Sequence, residues 1–278
     1  METASGKKEE PEPFHSPLDE VQGDFKDVSS VPPDPSGEGK QVHIVEGCTC
    51  VDAATSMLVS AQPPEEYHAQ TALEAVIPFL REHGRPRQMS CDRDPRWVGG
   101  SSGWDVPSAL LRFLPGVQRE PRICPAHQPQ KNAFVERSHR SYKEECLQVQ
   151  QPETLEEVKR VTEAFQQHDQ FHRPHQGRAC QNQPPRQAFP TWPELPPLPR
   201  TVQADRWLWH SHHRIFARLI GSDGCVAVNH ETYARGTALA GHKVALVIDA
   251  AKAVFDVRLG ARSRNQLPIT QVVRDEMP

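Results

Sequence analysis

The sequence has no apolar run long enough to cross a bilayer. Its longest apolar runs, such as VALVI at 244–248, fall far short of the about 20 residues that a spanning helix needs. It also has no basic start followed by an apolar stretch, the pattern of a secretory signal. These absences predict a soluble, cytoplasmic protein without a membrane partner.

Cysteine pairs of the kind that hold structural zinc are also missing. The chain has seven cysteines, an odd number, and only Cys48 and Cys50 are close together. Zinc folds use C-x-x-C pairs or sets of Cys and His, so we expect reduced thiols instead. His210, His212 and His213 have no Cys or acid at a suitable spacing, and we predict that they are surface or strand residues.

Charge is distributed unevenly along the chain. The net charge is −4, yet residues 1–39 contain ten acidic residues against Lys7, Lys8 and Lys26. Their polar, proline-bearing start lacks the apolar area needed for folding, which predicts a disordered acidic tail over residues 1–17. Residues 201–264 carry nine basic and five acidic residues, a balance that suits contact with a polyanion.

Apolar patterns predict a mixed α/β unit over residues 18–190. Two strand-like runs, VQGDF and VHIVEGCTCVDA, are separated by turn-forming residues, and a third run, MLVSAQ, follows. Helical periodicity then alternates with two more strands, giving the order β-β-β-α-β-α-β-α. A later long helix ends at Arg173-Pro174, where proline stops it. This order is typical of one sheet with flanking helices.

A second unit is predicted after a proline-rich segment. Seven of the sixteen residues from 184 to 199 are proline, and we interpret 191–200 as a semi-rigid linker. The apolar period then changes to two, which predicts a small all-β barrel over 201–262, with a tail over 263–278. Four basic residues of this unit either contact a DNA backbone or are simply solvated: Arg214, Arg218, Arg235 and Lys243.

Three carboxylates fall where an α/β sheet can bring them together. Asp24 lies inside the first strand, Asp92 ends the strand after the first helix, and Glu136 begins a later helix. Taken singly, each is an ordinary turn, strand-end or helix N-terminal acid. Arg140 and Lys143 follow Glu136 at i+4 and i+7. That helix face is either a solvated surface with ion pairs or a phosphate track beside a metal-binding carboxylate.

Longer strings in this region resemble a known family. PAHQPQKNAFVERSHRSYKEECL, followed by PETLEEVKRVTEAFQQHDQFHRPHQG and QPPRQAF, resembles the end of the catalytic core of insertion-sequence transposases and retroviral-type integrases, the DDE superfamily. Upstream, VQGDFKD and RPRQMSCDRDPRWVG resemble its two aspartate-bearing strands. The resemblance implies an RNase H-like core with the triad Asp24, Asp92 and Glu136, the last two separated by 43 residues. The barrel resembles, more loosely, the C-terminal barrels of several transposases.

The resemblance also implies a reaction and its partners. Three carboxylates would hold two Mg²⁺ ions, for which Mn²⁺ can substitute, and the ions would drive strand cleavage and strand transfer at element ends. Arg137, Arg140 and Lys143 would hold DNA phosphates. The implied partners are element-end and target DNA, further copies of this chain on that DNA, and a separate helix-turn-helix chain that reads the ends, in a nucleoid-associated complex.

The sequence departs from the family pattern in ways that leave alternatives open. Asp52 competes with Asp24 as the first acid, because VDAATS also places an acid at a strand end. Arg93-Asp94 stands where the family usually has Asn-Gly. A catalytically degenerate DNA-binding remnant of a transposase is therefore the alternative function, and an RNase H-type nuclease is a third. Arg173 and His175 are predicted either on the surface or on DNA.

Overall fold

The computed structural model describes residues 16–27, 46–62, 71–99, 107–125, 128–177, 179–228, 231–234 and 237–269. Most of the predicted acidic tail, the predicted C-terminal tail from residue 270 and Arg235 lie outside these ranges. Within them, no helix combines the length and the apolar character that crossing a membrane requires.

A five-stranded mixed sheet forms the centre of the first unit. Its strands are β1 (Glu20–Asp27), β2 (Glu46–Asp52), β3 (Leu58–Gln62), β4 (Gln88–Cys91) and β5 (Glu120–Ile123), in the order β3-β2-β1-β4-β5. The strands β1, β2 and β3 are antiparallel neighbours, whereas β4 runs parallel to both β1 and β5. The predicted strand order along the chain is confirmed.

Helices cover both faces of this sheet. One core contains Val21 and Phe25 of β1 together with residues of α1 (Thr71–His83) and α3 (Ala109–Gly116). On the opposite face, Val51 and Leu58 pack against α4 (Ala133–Ser141) and α6 (Leu155–Phe171). A short helix, α2 (Pro95–Val98), lies in the loop after β4. The arrangement is the predicted RNase H-like mixed sheet with flanking helices.

The helix that carries Glu136 is longer than α4 alone. It continues through a π-helical turn at Tyr142–Leu147 into α5 (Gln148–Gln150) and ends at Gln151, whose φ of 46° is left-handed. After it, Thr154 caps α6 by accepting a hydrogen bond from the Glu157 N–H. The helix α6 ends at Phe171, three residues before Pro174 and close to the predicted end, and α7 (Pro185–Ala188) follows.

The second unit consists mainly of antiparallel strands, as predicted, together with one short helix at Arg206–His210. The strands β6 (Ile215–Leu219), β9 (Lys243–Asp249), β10 (Val254–Leu259) and β11 (Arg262–Pro268) form one sheet, and β7 (Cys225–Val228) pairs with β8 (Glu231–Ala234). Their apolar faces share one core around Trp207, Phe216 and Phe255. The strands pair as an open sheet and a hairpin within the described residues. Two points differ from prediction: the described strands do not close into the predicted barrel, and β11 lies largely in the segment interpreted as a tail.

The proline-rich segment packs against the first unit. Leu195, Leu198 and Val202 contact the core of that unit, and the Arg85 N–H donates to the Pro196 carbonyl at 2.8 Å. Beyond the segment, α8 (Arg206–His210) contacts α3. The segment therefore links the two units while it remains attached along the surface of the first.

Candidate active site

The strand β1 presents polar side chains to the helix α4. Alternation along the strand turns Val21 and Phe25 into one core, so Gln22 and Asp24 share the opposite face. The buried Gln22 amide donates to the Lys131 carbonyl at 3.0 Å and accepts from the Phe134 N–H at 3.2 Å. This side chain therefore docks the N-terminus of α4 on the strand that carries Asp24.

Strand register brings Asp24 and Asp92 together. Gly23 lies opposite Cys91 in the parallel pair β1 and β4, so Asp24 and Asp92 are the next residues at the same end of adjacent strands. Gly23 also has a steric reason to be glycine, because a Cβ atom there would lie 2.9 Å from the buried Trp97 ring. The Asp92 carboxylate accepts a hydrogen bond from the Asp94 N–H at 2.9 Å.

The charges of several acids act on Asp24. Burial raises the pKa of the Asp24 carboxyl from its usual 3.8 to about 7, and the negative charges of Asp92, Asp94 and Glu136 add to the rise, opposed by a hydrogen bond from the Phe25 N–H. Glu136 is exposed in the first turn of α4. Asp92 and Glu136 thus both lie within electrostatic range of Asp24.

His139 is a neighbour of Asp24 that the sequence analysis did not identify. Its Nδ1 atom lies 3.6 Å from the Asp24 carboxylate, and its Nε2 atom makes a short hydrogen bond with the Thr49 hydroxyl. Burial, with a smaller effect from Lys26, lowers the pKa of His139 to about 4. The ring is therefore neutral near pH 7 and does not compensate the charge of Asp24.

Asp94, one of the two residues at which the sequence departs from the family pattern, forms a small network of its own. Asp94 caps α2 and binds the Arg96 guanidinium through both carboxylate oxygens, at 2.7 and 2.5 Å. The guanidinium lies over the Phe25 ring, 4.4 Å from its centre. Burial lowers the pKa of Arg96, and the charge of Asp24 opposes that shift. Arg96 is therefore a cation close to the predicted triad, whereas Arg93 is exposed and its Nε–H donates to the Cys124 carbonyl at 3.4 Å.

Asp52 has a different environment from Asp24. It is fully buried, and its two oxygens accept hydrogen bonds from the Leu18 N–H at 2.8 Å and from the Thr55 N–H and hydroxyl at 2.9 and 2.6 Å. Burial raises the pKa of this carboxyl, and the bonds from Thr55 and Leu18 oppose the rise. One oxygen thus holds the turn between β2 and β3, and the other fixes the segment that leads into β1.

The predicted DNA-contacting cations lie along α4 and its continuation. Arg137, Arg140 and Lys143 are all exposed. Arg137 lines a polar cleft between α4 and the loop after α6, together with Arg173 and Gly177.

Two basic residues of that loop have structural contacts. Arg173 makes a bidentate ion pair with Glu145 at 2.9 and 2.8 Å. His175 is buried, and its ring contacts Asp169 at 3.1 Å and the Thr55 carbonyl at 3.0 Å. The prediction of His175 on the surface or on DNA is therefore wrong, because this ring fills a hydrogen-bonded position beneath the cleft.

The donor types around Asp24 suit a hard divalent cation. Carboxylate oxygens are the ligands that Mg²⁺ and Mn²⁺ prefer, and mutual repulsion among Asp24, Asp92 and Glu136 is relieved when a cation binds. Among the residues that the structure describes, no three such side chains stand close enough to enclose an ion. The chemistry therefore fits, and closing the site around a metal requires these side chains to move inward.

Comparison with known proteins supports the family resemblance for one segment. Residues 118–185, which include Glu136, match the family described as "Integrase core domain". No curated protein matches the chain. Among solved structures, the catalytic core of bovine immunodeficiency virus (BIV) integrase is 15% identical, with 62% of this chain and 93% of that chain covered and a TM-score of 0.42.

Two further structures are similar at the same level. The simian T-cell lymphotropic virus intasome, in complex with the PP2A regulatory subunit B56 gamma, is 12% identical, covers 91% of this chain and 77% of its own, and has a TM-score of 0.44. The HTLV-2 integrase catalytic core in complex with magnesium, in a trimeric form, is 12% identical, with 63% of this chain and 97% of that chain covered and a TM-score of 0.39.

The fold and the family match agree with the predicted resemblance. The sheet order and flanking helices are RNase H-like, and the segment from β5 to α7 matches the integrase core family. The predicted resemblance to the DDE superfamily is confirmed for residues 118–185.

Proposed function

We propose that this protein is a DNA transposase or integrase that uses two divalent metal ions, held by Asp24, Asp92 and Glu136, for strand cleavage and strand transfer. The observation that carries this proposal is the convergence of three carboxylates from β1, the end of β4 and α4, which contributes to a pKa of about 7 at Asp24. Proteins rarely gather like charges without a ligand that offsets their repulsion.

The three carboxylates would hold the ions together in this proposal. Asp24 would contribute a half-buried side chain, whereas Asp92 and Glu136 would contribute theirs from the end of β4 and from the first turn of α4. The bound ions would activate the attacking oxygen and stabilise the leaving oxygen of an in-line phosphoryl displacement. Asp52 takes no part, since its two oxygens already accept hydrogen bonds from Leu18 and Thr55.

The substrate in this proposal is DNA. Arg140 and Lys143 continue the face of α4 beyond Glu136, where exposed cations would hold backbone phosphates beside the metals. Arg137, which lines the cleft beside α4, would hold a phosphate in that cleft. We also propose that several copies assemble on the DNA, and that a helix-turn-helix reader supplies the recognition of element ends.

One observation favours a second candidate, a DNA-binding remnant without catalysis. Arg96 lies near Asp24 and already pairs with Asp94, two residues after Asp92. A cation in this place partly neutralises the negative charge of the carboxylates and so weakens their attraction for metal ions. The two candidates differ in whether metal binding depends on the triad.

Titration calorimetry of Mn²⁺ or Mg²⁺ into the full chain with a short DNA duplex separates these candidates. We expect Asp92→Asn and Glu136→Gln each to abolish the metal-binding heat and metal-dependent nicking of plasmid DNA. Glu144→Gln is the matched control, since Glu144 is an exposed acid on the same helical run. Duplex binding with no metal signal that depends on Asp92 or Glu136 would identify the remnant instead.

A further inference from the structure

The ring of His139 has a hydrogen-bond arrangement that leaves one nitrogen available. The Thr49 hydroxyl donates its single hydrogen to the Asp24 carbonyl at 3.2 Å. The same hydroxyl oxygen contacts His139 Nε2, and in the tautomer with the proton on Nε2 it accepts a hydrogen bond from the ring. The other nitrogen, Nδ1, then presents a lone pair.

This lone pair faces the candidate active site. Nδ1 lies 3.6 Å from the Asp24 Oδ2 atom, a separation too long for a hydrogen bond. Metal–ligand bonds of about 2.0–2.1 Å place neighbouring ligand atoms of one ion about 3 Å apart. The two atoms therefore need only a small approach to share one cation.

The surroundings of His139 resemble the support of a metal-ligating histidine. Such rings usually donate their second N–H to an oxygen of the protein, which fixes the tautomer and the ring orientation. Thr49 does this for His139, and the hydroxyl is itself held on the backbone of Asp24. His139 is 5% exposed, so the orientation of its ring is fixed by packing as well.

We propose that His139 Nδ1 is a nitrogen ligand to the metal ion that Asp24 binds, so that the site prefers Mn²⁺ over Mg²⁺. This inference rests on the proposed function, because it adds a ligand to the same site. Imidazole nitrogen binds transition metals better than it binds Mg²⁺, and affinities at mixed sites rise along the transition series. The preference would set which ion the protein takes from a mixture.

Pulsed electron paramagnetic resonance of Mn²⁺ bound to the full chain with duplex tests the inference directly. We expect nitrogen-14 modulation from a coordinated imidazole, replaced by a nitrogen-15 pattern when the protein is labelled with [¹⁵N]histidine. The labelling arm needs no substitution, so it does not depend on how a variant folds.

The metal affinities of a variant provide a second test of the inference. His139→Gln keeps a donor for Thr49 but removes the imidazole, and we expect it to weaken Mn²⁺ binding by about 10-fold or more, with a smaller loss for Mg²⁺. His172→Gln, at an exposed histidine, is the control and should leave both affinities unchanged.

The outcomes separate this inference from the proposed function. Mn²⁺ binding that requires Asp92 and Glu136 but shows no histidine nitrogen coupling overturns the role of His139 alone. Absence of any metal binding that depends on those acids overturns the metal site itself, and with it both proposals.

Discussion

Asp24 and Asp52 are two buried or half-buried aspartates whose environments predict opposite responses to neutralisation. The pKa of Asp24 is about 7 instead of 3.8, so the folded protein binds this proton more tightly than the unfolded chain does. Its contribution to stability is therefore fully present below about pH 4 and is lost as the pH rises through about 7. Without metal, the charged carboxylate destabilises the fold at pH 8.

We expect Asp24→Asn to stabilise the metal-free protein in a pH-dependent manner. The amide oxygen can still accept from the Phe25 N–H, which Asp24 binds at 2.9 Å, but the charge is gone. Urea denaturation in EDTA should show the variant gaining on the order of 2–3 kcal/mol relative to the parent between pH 5 and pH 8.

Asp52→Asn is the control for this experiment. Both Asp52 oxygens accept hydrogen bonds, and an amide NH₂ in place of one oxygen would face a donor, so we expect a loss of about 1–3 kcal/mol at both pH values. An equal response of the two variants would contradict the different roles given to these residues.

At the scale of residues, the sequence predicts three candidate acids but not the side chains that surround them. Asp24, Asp92 and Glu136 follow from strand alternation, strand ends and family resemblance. His139 was missed because its contact, Thr49, is 90 residues away on β2, and no local pattern records a pairing across a sheet. The one local signal is the i, i+4 spacing of Val135 and His139, the two buried residues of α4.

At the scale of elements, α6 is joined to the sheet by a buried polar network. The Asp169 carboxylate accepts from the Leu58 N–H of β3 at 2.9 Å and contacts the His175 ring, which also reaches the Thr55 carbonyl. Truncation of His175 would remove its hydrogen bonds from this buried network and open a cavity. This network fixes α6, the turn after β2 and the loop that lines the cleft of Arg137.

We therefore expect His175→Ala to lower the free energy of unfolding by about 2–4 kcal/mol, measured by urea denaturation. His172→Ala, three residues earlier and exposed, should change it by no more than about 0.5 kcal/mol. Similar midpoints for the two variants would mean that the network contributes little to the docking of α6.

The predicted elements were most accurate where an apolar pattern was strong. The long helix α6 and the β-β-β-α-β-α-β-α order follow directly from periodicity. The strand β11 was missed because its sequence, RSRNQLP, contributes a single buried side chain, Leu267, to the core. Its pairing is set by the backbone of β10, and main-chain hydrogen bonds leave no apolar pattern in the sequence.

At the scale of the whole molecule, composition predicted a spacer between the two units but not its packing on the surface of the first unit. Proline content predicts an extended segment, whereas its attachment depends on glycines distant in the sequence. Gly84 and Gly116 leave room for Leu195 and Val202 respectively. The two units are thus connected by a segment that is held along one of them.

Gly116→Ala should detach part of this segment and expose it to protease. A Cβ atom at Gly116 would lie 2.7 Å from the Val202 Cγ1 atom and 3.0 Å from the Gln203 carbonyl oxygen, next to the bond that the Gln203 N–H donates to the Gly116 carbonyl. We expect tryptic cleavage after the exposed Arg200 to become about 10-fold faster, the effect of roughly 1.4 kcal/mol on local opening.

Gly177→Ala is the matched control, because a Cβ atom there meets nothing within 4 Å. Alanine stabilises a helix relative to glycine, so helix propensity cannot explain faster cleavage. Faster cleavage in Gly116→Ala alone would therefore come from the displaced segment. Equal cleavage rates in the two variants would mean that other contacts hold the two units together.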